Sequence, residues 1–187
     1  MPVLVAVLDA DVLVPIVPCD FLLSAFDLGL YEPVVSTAVI EEVERTLAED
    51  FPNLTPEAVR YRVEAMRSAL EDQLVTPDPD AAPDAVNAKD RHVVAAAQAG
   101  EAAALVSNDR RLRGQVTTAA DGIDALSLDE FALRLWKRSP KDVNRVIDAL
   151  VAKRQRPPVT RAEMLDALAG PLPSLIAAIR SMRESTF

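Results

Sequence analysis

Apolar positions open the chain as a continuous run, VLVAVLD, in which β-branched and leucine side chains end on an acid. A run of that kind predicts a strand buried on both faces of a parallel sheet. From Cys19 to Leu28 the apolar positions Phe21, Leu22, Ala25, Phe26 and Leu28 fall at helical spacing, and Gly29 closes the stripe as a C-terminal cap. Ser36 or Thr37 can cap a helix running through VIEEVERTLAED. Thr55 followed by Pro56 starts another, expected to run to about Leu74. A short strand at Leu74 to Thr76 then leads into PDPDAAPDA, whose proline and aspartate content predicts a loop.

The second half repeats the alternation before losing it. Asn87 starts a helix that ends at Gly100, and AALVSND follows as an apolar run with polar residues at its end. A short strand near Ile123 to Leu126 leads to Ser127, whose capping box with Glu130 opens the helix DEFALRLW. Beyond it, Ser139 with Pro140 and Asp142, Thr160 with Glu163, and the proline-spaced LPSLIAAIRSM mark three more helix starts with no strand pattern between them. The expectation is an α/β domain over residues 1–136, with a central parallel sheet flanked by helices, and a basic helical extension over 137–187. The apolar stretches VIDALVA and LPSLIAAI in that extension need a surface on which to bury: their own domain, a second subunit or a partner.

Composition narrows the chemistry. Half of the 187 residues are hydrophobic, enough for one sizeable core. No apolar run approaches the roughly 18 to 20 residues needed to cross a bilayer, and the N-terminal stretch lacks the basic start and cleavage site of a signal peptide, so the expected location is the cytoplasm. Cys19 is the single cysteine, which excludes an intrachain disulfide and any cysteine-cluster metal site. His92 is the single histidine, which removes mechanisms that need a histidine pair, and it is assigned no catalytic role. Chemistry here runs on carboxylates.

In open parallel sheets, ligands bind beyond the C-terminal ends of the strands. Asp9 closes the first apolar run and Asp109 lies just past ALVS, so the two converge if those strands are neighbours. Asp11 can face the same way, Asp90 falls in the first turn of its helix, and Glu42 lies one turn into the helix capped by Ser36 or Thr37. Clustered carboxylates repel unless a cation or a shared proton neutralises them, and oxygen ligands favour magnesium or manganese. Taken singly, several have plainer explanations. Asp90 with Asn87 reads as a helix cap, Glu42 in EEVER as a solvated face, and Asp109 as a turn residue.

The order of these blocks resembles the PIN domain, the fold of VapC-type toxins and related nucleases. LDADVLVP is similar to a first strand reading LDANVLVP, with Asp11 in place of the more usual asparagine. GLYEPVVSTAVIEEVERTL places Glu42, or Glu41 if the register slips, at the family's glutamate. KDRHVVAAAQAGEAAALVSNDRRL puts Asp90 and Asp109 on the third and fourth acidic positions and Ser107 on the hydroxyl position. The similarity covers about residues 3–135.

The resemblance implies a PIN-like three-layer α/β fold and an endoribonuclease using Mg2+ or Mn2+, in which metal-activated water attacks the phosphate. On that pattern Asp9, Asp90 and Asp109 bind metal, Glu42 binds metal or orients the water, Ser107 supports by hydrogen bonding, and Asp11 is a secondary ligand. It also implies a toxin paired with a small DNA-binding antitoxin, and a homodimer. Between Arg134 and Arg161 the chain carries a net +7, against −16 for the remainder. Within this stretch Lys137, Lys141 and Arg145 recur at four-residue spacing, a candidate RNA-binding face or an ordinary solvated one. Rival assignments are a structure-specific DNA nuclease, a catalytically silent module that grips RNA or protein, and a metal-dependent phosphatase acting on small molecules.

Overall fold

The opening apolar run becomes β1 (Val5–Leu8), the middle strand of a five-stranded, all-parallel sheet in the computed structural model, which describes residues 3–120 and 122–184. The others are β2 (Glu32–Ser36), β3 (Leu74–Val75), β4 (Ala104–Val106) and β5 (Asp124–Leu126), in the order β3-β2-β1-β4-β5. Ala6, Val7 and Leu8 are wholly buried, as a strand covered on both faces requires. The sequence direction reverses between β2-β1 and β1-β4, so a crevice opens beyond Leu8 and Val106. That is where Asp9 and Asp109 leave the sheet.

β2 was not foreseen, because proline within an apolar run argues against a central strand. The pairing shows how Pro33 is tolerated. Glu32 donates its backbone N–H to Leu4 at 2.9 Å, so the next residue faces the opposite neighbour. That neighbour, β3, pairs only with Val35 and Ser36, leaving no ladder bond for Pro33 to miss.

The sheet is flanked by α1 (Ala10–Leu13), α3 (Thr37–Asp50), α4 (Pro56–Ala69), α5 (Arg91–Ala99) and α6 (Arg110–Ala119), with α2 (Ile16–Asp27) belonging elsewhere. Ser36 caps α3 by accepting from Val39 N–H at 3.1 Å, and Thr55 caps α4 by accepting from Ala58 at 3.2 Å. α4 stops at Ala69 and a 3-10 turn (Glu71–Gln73) precedes β3, so it is shorter than the periodicity predicts. α6 was not expected, since RRLRGQVTTA mixes glycine with β-branched residues of low helix propensity. The Asp109 cap and burial of Leu112 and Val116 hold it instead.

At the end of α5, Gly100 backs onto β2. A Cβ there would stand 2.7 and 2.9 Å from the two methyl carbons of Val34, a buried side chain with little rotamer freedom. Gly100→Ala should destabilise the fold by about 1–3 kcal/mol, read as a lowered urea midpoint at unchanged slope.

The chain forms two compact units: residues 1–15 with 31–126, and residues 16–30 with 127–187. Among the described residues the regular elements of the second unit are helices: α2, α7 (Leu128–Arg138), α8 (Pro140–Lys153), α9 (Arg161–Ala169) and α10 (Pro173–Glu184). The second unit takes in α2, which packs with α8 and α9, and starts at Ser127, because α7 packs with α8 and α10. Both anticipated capping boxes are present, Ser127 with Glu130 and Thr160 with Glu163. The Asp129 carboxylate caps α10 by accepting from Ser174 and Leu175 N–H groups at 3.0 and 3.2 Å. Ile147, Leu150, Leu175, Ile176 and Ile179 are buried within this unit, so the two apolar stretches supply a core of their own. Trp136 is a core residue as well. Among the described residues no helix is long and apolar enough to cross a membrane.

Candidate functional site

The site grows from the two central strands. β1 ends at Leu8, and Asp9 donates its N–H to Val106 O of β4 at 3.1 Å, so the aspartate is fixed to the neighbouring strand as it leaves the sheet. It is the N-cap of the four-residue α1, with Oδ1 accepting from Ala10 N–H at 2.7 Å. Past β4, the wholly buried Ser107 donates its hydroxyl to Asp9 Oδ2 at 2.7 Å. Asp11 Oδ2 lies 3.3 Å from the same hydroxyl and accepts from Asn108 N–H at 2.8 Å. Asp109 donates its N–H to Ser107 Oγ at 3.0 Å, while its own Oδ1 caps α6 by accepting from Arg111 and Leu112 at 2.7 and 3.3 Å. One serine therefore ties Asp9, Asp11 and Asp109 together.

Asp90 and Glu42 come from two other elements, the start of α5 and the body of α3. Asp90 begins α5 but makes no capping bond, and Asn87 makes none either, so the plain capping explanation fails for the pair. Asn87 Oδ1 accepts from Arg111 instead, at 3.2 Å. Glu42 projects from α3 into a cleft of about 360 Å³ that it shares with Glu41, Arg45, Lys89, Asp90 and His92. Lys89 Nζ stands 3.5 Å from Asp90 Oδ1 and 3.9 Å from Asp109 Oδ2, bridging the two arms of the site.

Electrostatics reports the same convergence. Burial raises the Asp9 carboxyl above its ordinary range, partly offset by the bonds from Ser107 and Ala10, with Glu42 and Asp90 repelling it further. Glu42, rather than Glu41, is thus the α3 acid that Asp9 feels. Asp11 is pushed up to about 6 by burial and then by Asp9. Such acids need a proton or a cation beside them.

The donor chemistry fits a hard divalent cation. Asp11 Oδ1 and Asp90 Oδ2 are buried oxygens without a hydrogen-bond donor, each costing on the order of 1–3 kcal/mol if nothing meets it. Carboxylate oxygens of this kind are what Mg2+ and Mn2+ take. The side chains do not form a closed cage: among the described residues no three His, Cys, Asp or Glu stand close enough to hold an ion together.

α1, which carries Asp9 and Asp11, is itself anchored by a residue that motif reasoning overlooked. Arg62 of α4 donates to Leu13 O and Val14 O at 3.0 and 2.6 Å, satisfying carbonyls at the end of α1. Lys89 was overlooked too, and His92 set aside, although both flank Asp90 in the KDRH stretch. Their adjacency to a candidate acid was the available signal.

Ser107→Ala should leave the strand intact but release both aspartates. Cation affinity or turnover is expected to fall about 10- to 100-fold, the usual effect of removing a supporting hydrogen bond, and calorimetric titration with Mn2+ would measure it. Unchanged affinity and turnover would show that backbone placement alone orients Asp9.

The candidate basic face is built differently from its expectation. Lys137 lies in the last turn of α7, before the break at Ser139, whereas Lys141 and Arg145 lie on α8, so the three do not form one stripe along one helix. Arg145 pairs with Asp142 at 3.1 Å. Other cations of the stretch hold the second unit together: Arg154 pairs with Asp20 at 3.0 Å, Lys153 donates to Ser24 Oγ at 3.0 Å, and Arg161 pairs with Asp148. Much of the local positive charge is answered by acids within that unit.

A family model described as PIN domain matches residues 5–111, and one described as VapC50 C-terminal domain matches residues 128–185. Comparison with curated proteins finds no significant match. The first match spans the cleft acids Asp9, Asp11, Glu42, Asp90 and Asp109, and the second lies within the helical unit.

Proposed function

The chain belongs to the PIN-domain family in its VapC-type form, a family of nucleases, and from that premise we propose that it is a metal-dependent endoribonuclease acting as the toxin of a toxin-antitoxin pair. The observation that carries this is the pair of buried carboxylate oxygens without donors, Asp11 Oδ1 and Asp90 Oδ2, belonging to acids that both act on Asp9, the acid held by Ser107.

In this mechanism Asp9, Asp11, Asp90 and Asp109 would hold Mg2+ or Mn2+, with Glu42 as a further ligand or as the group orienting the attacking water. A cation held there would supply charge neutralisation for the phosphate and a lowered pKa for that water. Ser107 fixes the orientation of Asp9 and Asp11 through its hydroxyl, and Arg62 fixes the helix that carries them. Lys89, at the mouth of the cleft, offers a positive charge to an approaching phosphodiester. Lys137, Lys141 and Arg145, all on the second unit, are candidates for contacts to the RNA backbone. A small DNA-binding antitoxin and a second copy of the chain are the expected partners, and the cytoplasm the expected location.

The test is incubation of the purified protein with labelled RNA and matched DNA, in Mg2+, in Mn2+ and in chelator, beside Asp90→Asn. RNA cleavage that needs metal and falls at least ~100-fold in the variant supports the proposal. Cleavage of DNA alone would make it a DNA nuclease, and RNA binding with no cleavage would make it a silent module. Cleavage surviving both chelator and substitution would place the activity elsewhere.

A further inference from the structure

The acids of the cleft leave one neighbouring polar group unexplained. His92, the only imidazole in the chain, lies in the first turn of α5 with its side chain 16% exposed. Its Nε2 is fully buried and has no hydrogen-bond partner, yet it stands 3.8 Å from Glu42 Oε2. Burying such a nitrogen unpaired is costly, and an apolar side chain among the buried residues that follow, Val93 to Ala97, would avoid that cost. Glu42 meanwhile lacks a firm anchor on its other side. Arg45, one turn along α3, is 62% exposed at its side chain and reaches Glu42 Oε1 only at 4.0 Å. Exposed pairs of that length contribute little.

We propose that His92 is a positioning residue for Glu42: its imidazole, donating from Nε2, fixes the direction in which the Glu42 carboxylate faces within the cleft shared with Asp90. α3 and α5 pack against each other, and the 3.8 Å separation exceeds hydrogen-bond length by less than ~1 Å, the gap this role requires the Glu42 side chain to close. His92 touches neither substrate nor reacting atoms in this role. Its consequence for turnover rests on the nuclease function proposed above, whereas the contact itself does not.

Because the chain holds one histidine, a long-range 1H–15N spectrum of the metal-free protein contains one set of imidazole signals from His92. The expected result is that Nε2 carries the proton and that its resonance moves in Glu42→Gln, where the acceptor loses its charge, but not in Glu41→Gln. A resonance indifferent to Glu42→Gln overturns the proposal. In RNA cleavage, His92→Leu should lower kcat about 10-fold with KM within about 2-fold, and His92→Gln, which keeps an N–H near the position of Nε2, should recover to within about 3-fold of the original. Equal losses in the two variants, or a change confined to KM, would also overturn it. Should the unaltered protein cleave no RNA, the nuclease function falls, and the spectrum still decides the contact.

Discussion

Asp9→Asn is expected to abolish metal-dependent cleavage, by more than ~10³-fold in kcat/KM, while raising the melting temperature of the metal-free protein. The two effects have one cause. Asp9 is half-buried beside Asp11, with Glu42 and Asp90 repelling it, so its negative charge is unfavourable in the fold and useful only when a cation is bound. Asparagine is a good N-cap and its amide oxygen can still accept from Ala10 or Ser107, so the local geometry of α1 survives the change. Removing charge then relieves repulsion at the cost of cation affinity. Differential scanning calorimetry with and without Mn2+ separates the two effects: a higher transition without metal, and a smaller gain when metal is added. A lower transition in the metal-free variant would mean that the Asp9 charge holds the fold together, contrary to its burial.

The second large effect is a pH dependence of stability that metal removes. Asp11 is pushed up to about 6, by burial and by Asp9, from an unfolded value near ~3.9. A carboxyl raised in the folded state contributes stability that is fully present below the unfolded pKa and lost as pH rises through the folded one. The metal-free protein should therefore lose on the order of 2 kcal/mol from this group between about pH 4 and pH 7. Asp9 acts in the same direction. Other groups titrate oppositely: Asp142 and Glu163, held below the usual carboxylate range by hydrogen bonds from their helix caps, favour the fold as pH rises. The informative quantity is thus the difference between proteins rather than the raw slope. Urea titrations at pH 5 and pH 7 should show Asp11→Asn gaining on the unaltered chain at the higher pH, and saturating Mg2+ should cancel that advantage. An Asp11→Asn protein that tracks the original at both pH values would mean that Asp11 is not held in the unfavourable charged state its surroundings impose.

Much of the site could be read from particular residues. Asp9 stood out because an acid ending a doubly buried apolar run is costly without a partner, and the structure supplies Ser107 and Ala10 as hydrogen-bond donors to it. The capping signals of the helical unit were legible because they are local: Ser127 with Glu130, and Thr160 with Glu163, act over three residues. Asp90 was ambiguous for the same reason. Its spacing from Asn87 fits a cap, and only the absence of a capping bond on either residue separates the two explanations. Pro33 hid β2, since whether a proline is tolerated depends on how far the neighbouring strand extends.

Legible in the chain were four of the five strands, most of the helix starts with their caps, and a set of acids in a chain too poor in histidine and cysteine for other metal chemistry. Each of these is written in short-range periodicity or in composition. Tertiary structure alone decided that β1 lies beside β4, so that one hydroxyl serves Asp9 and Asp11 from 98 and 96 residues away. It decided that the charge of Glu42 acts on Asp9, that Arg62 anchors the helix carrying Asp9, and that the buried His92 nitrogen stands near Glu42. It also took α2 out of the sheet unit and packed it with helices more than a hundred residues later. These are long-range matters of burial and direction, fixed by which surfaces meet when the core closes and carried by no local pattern.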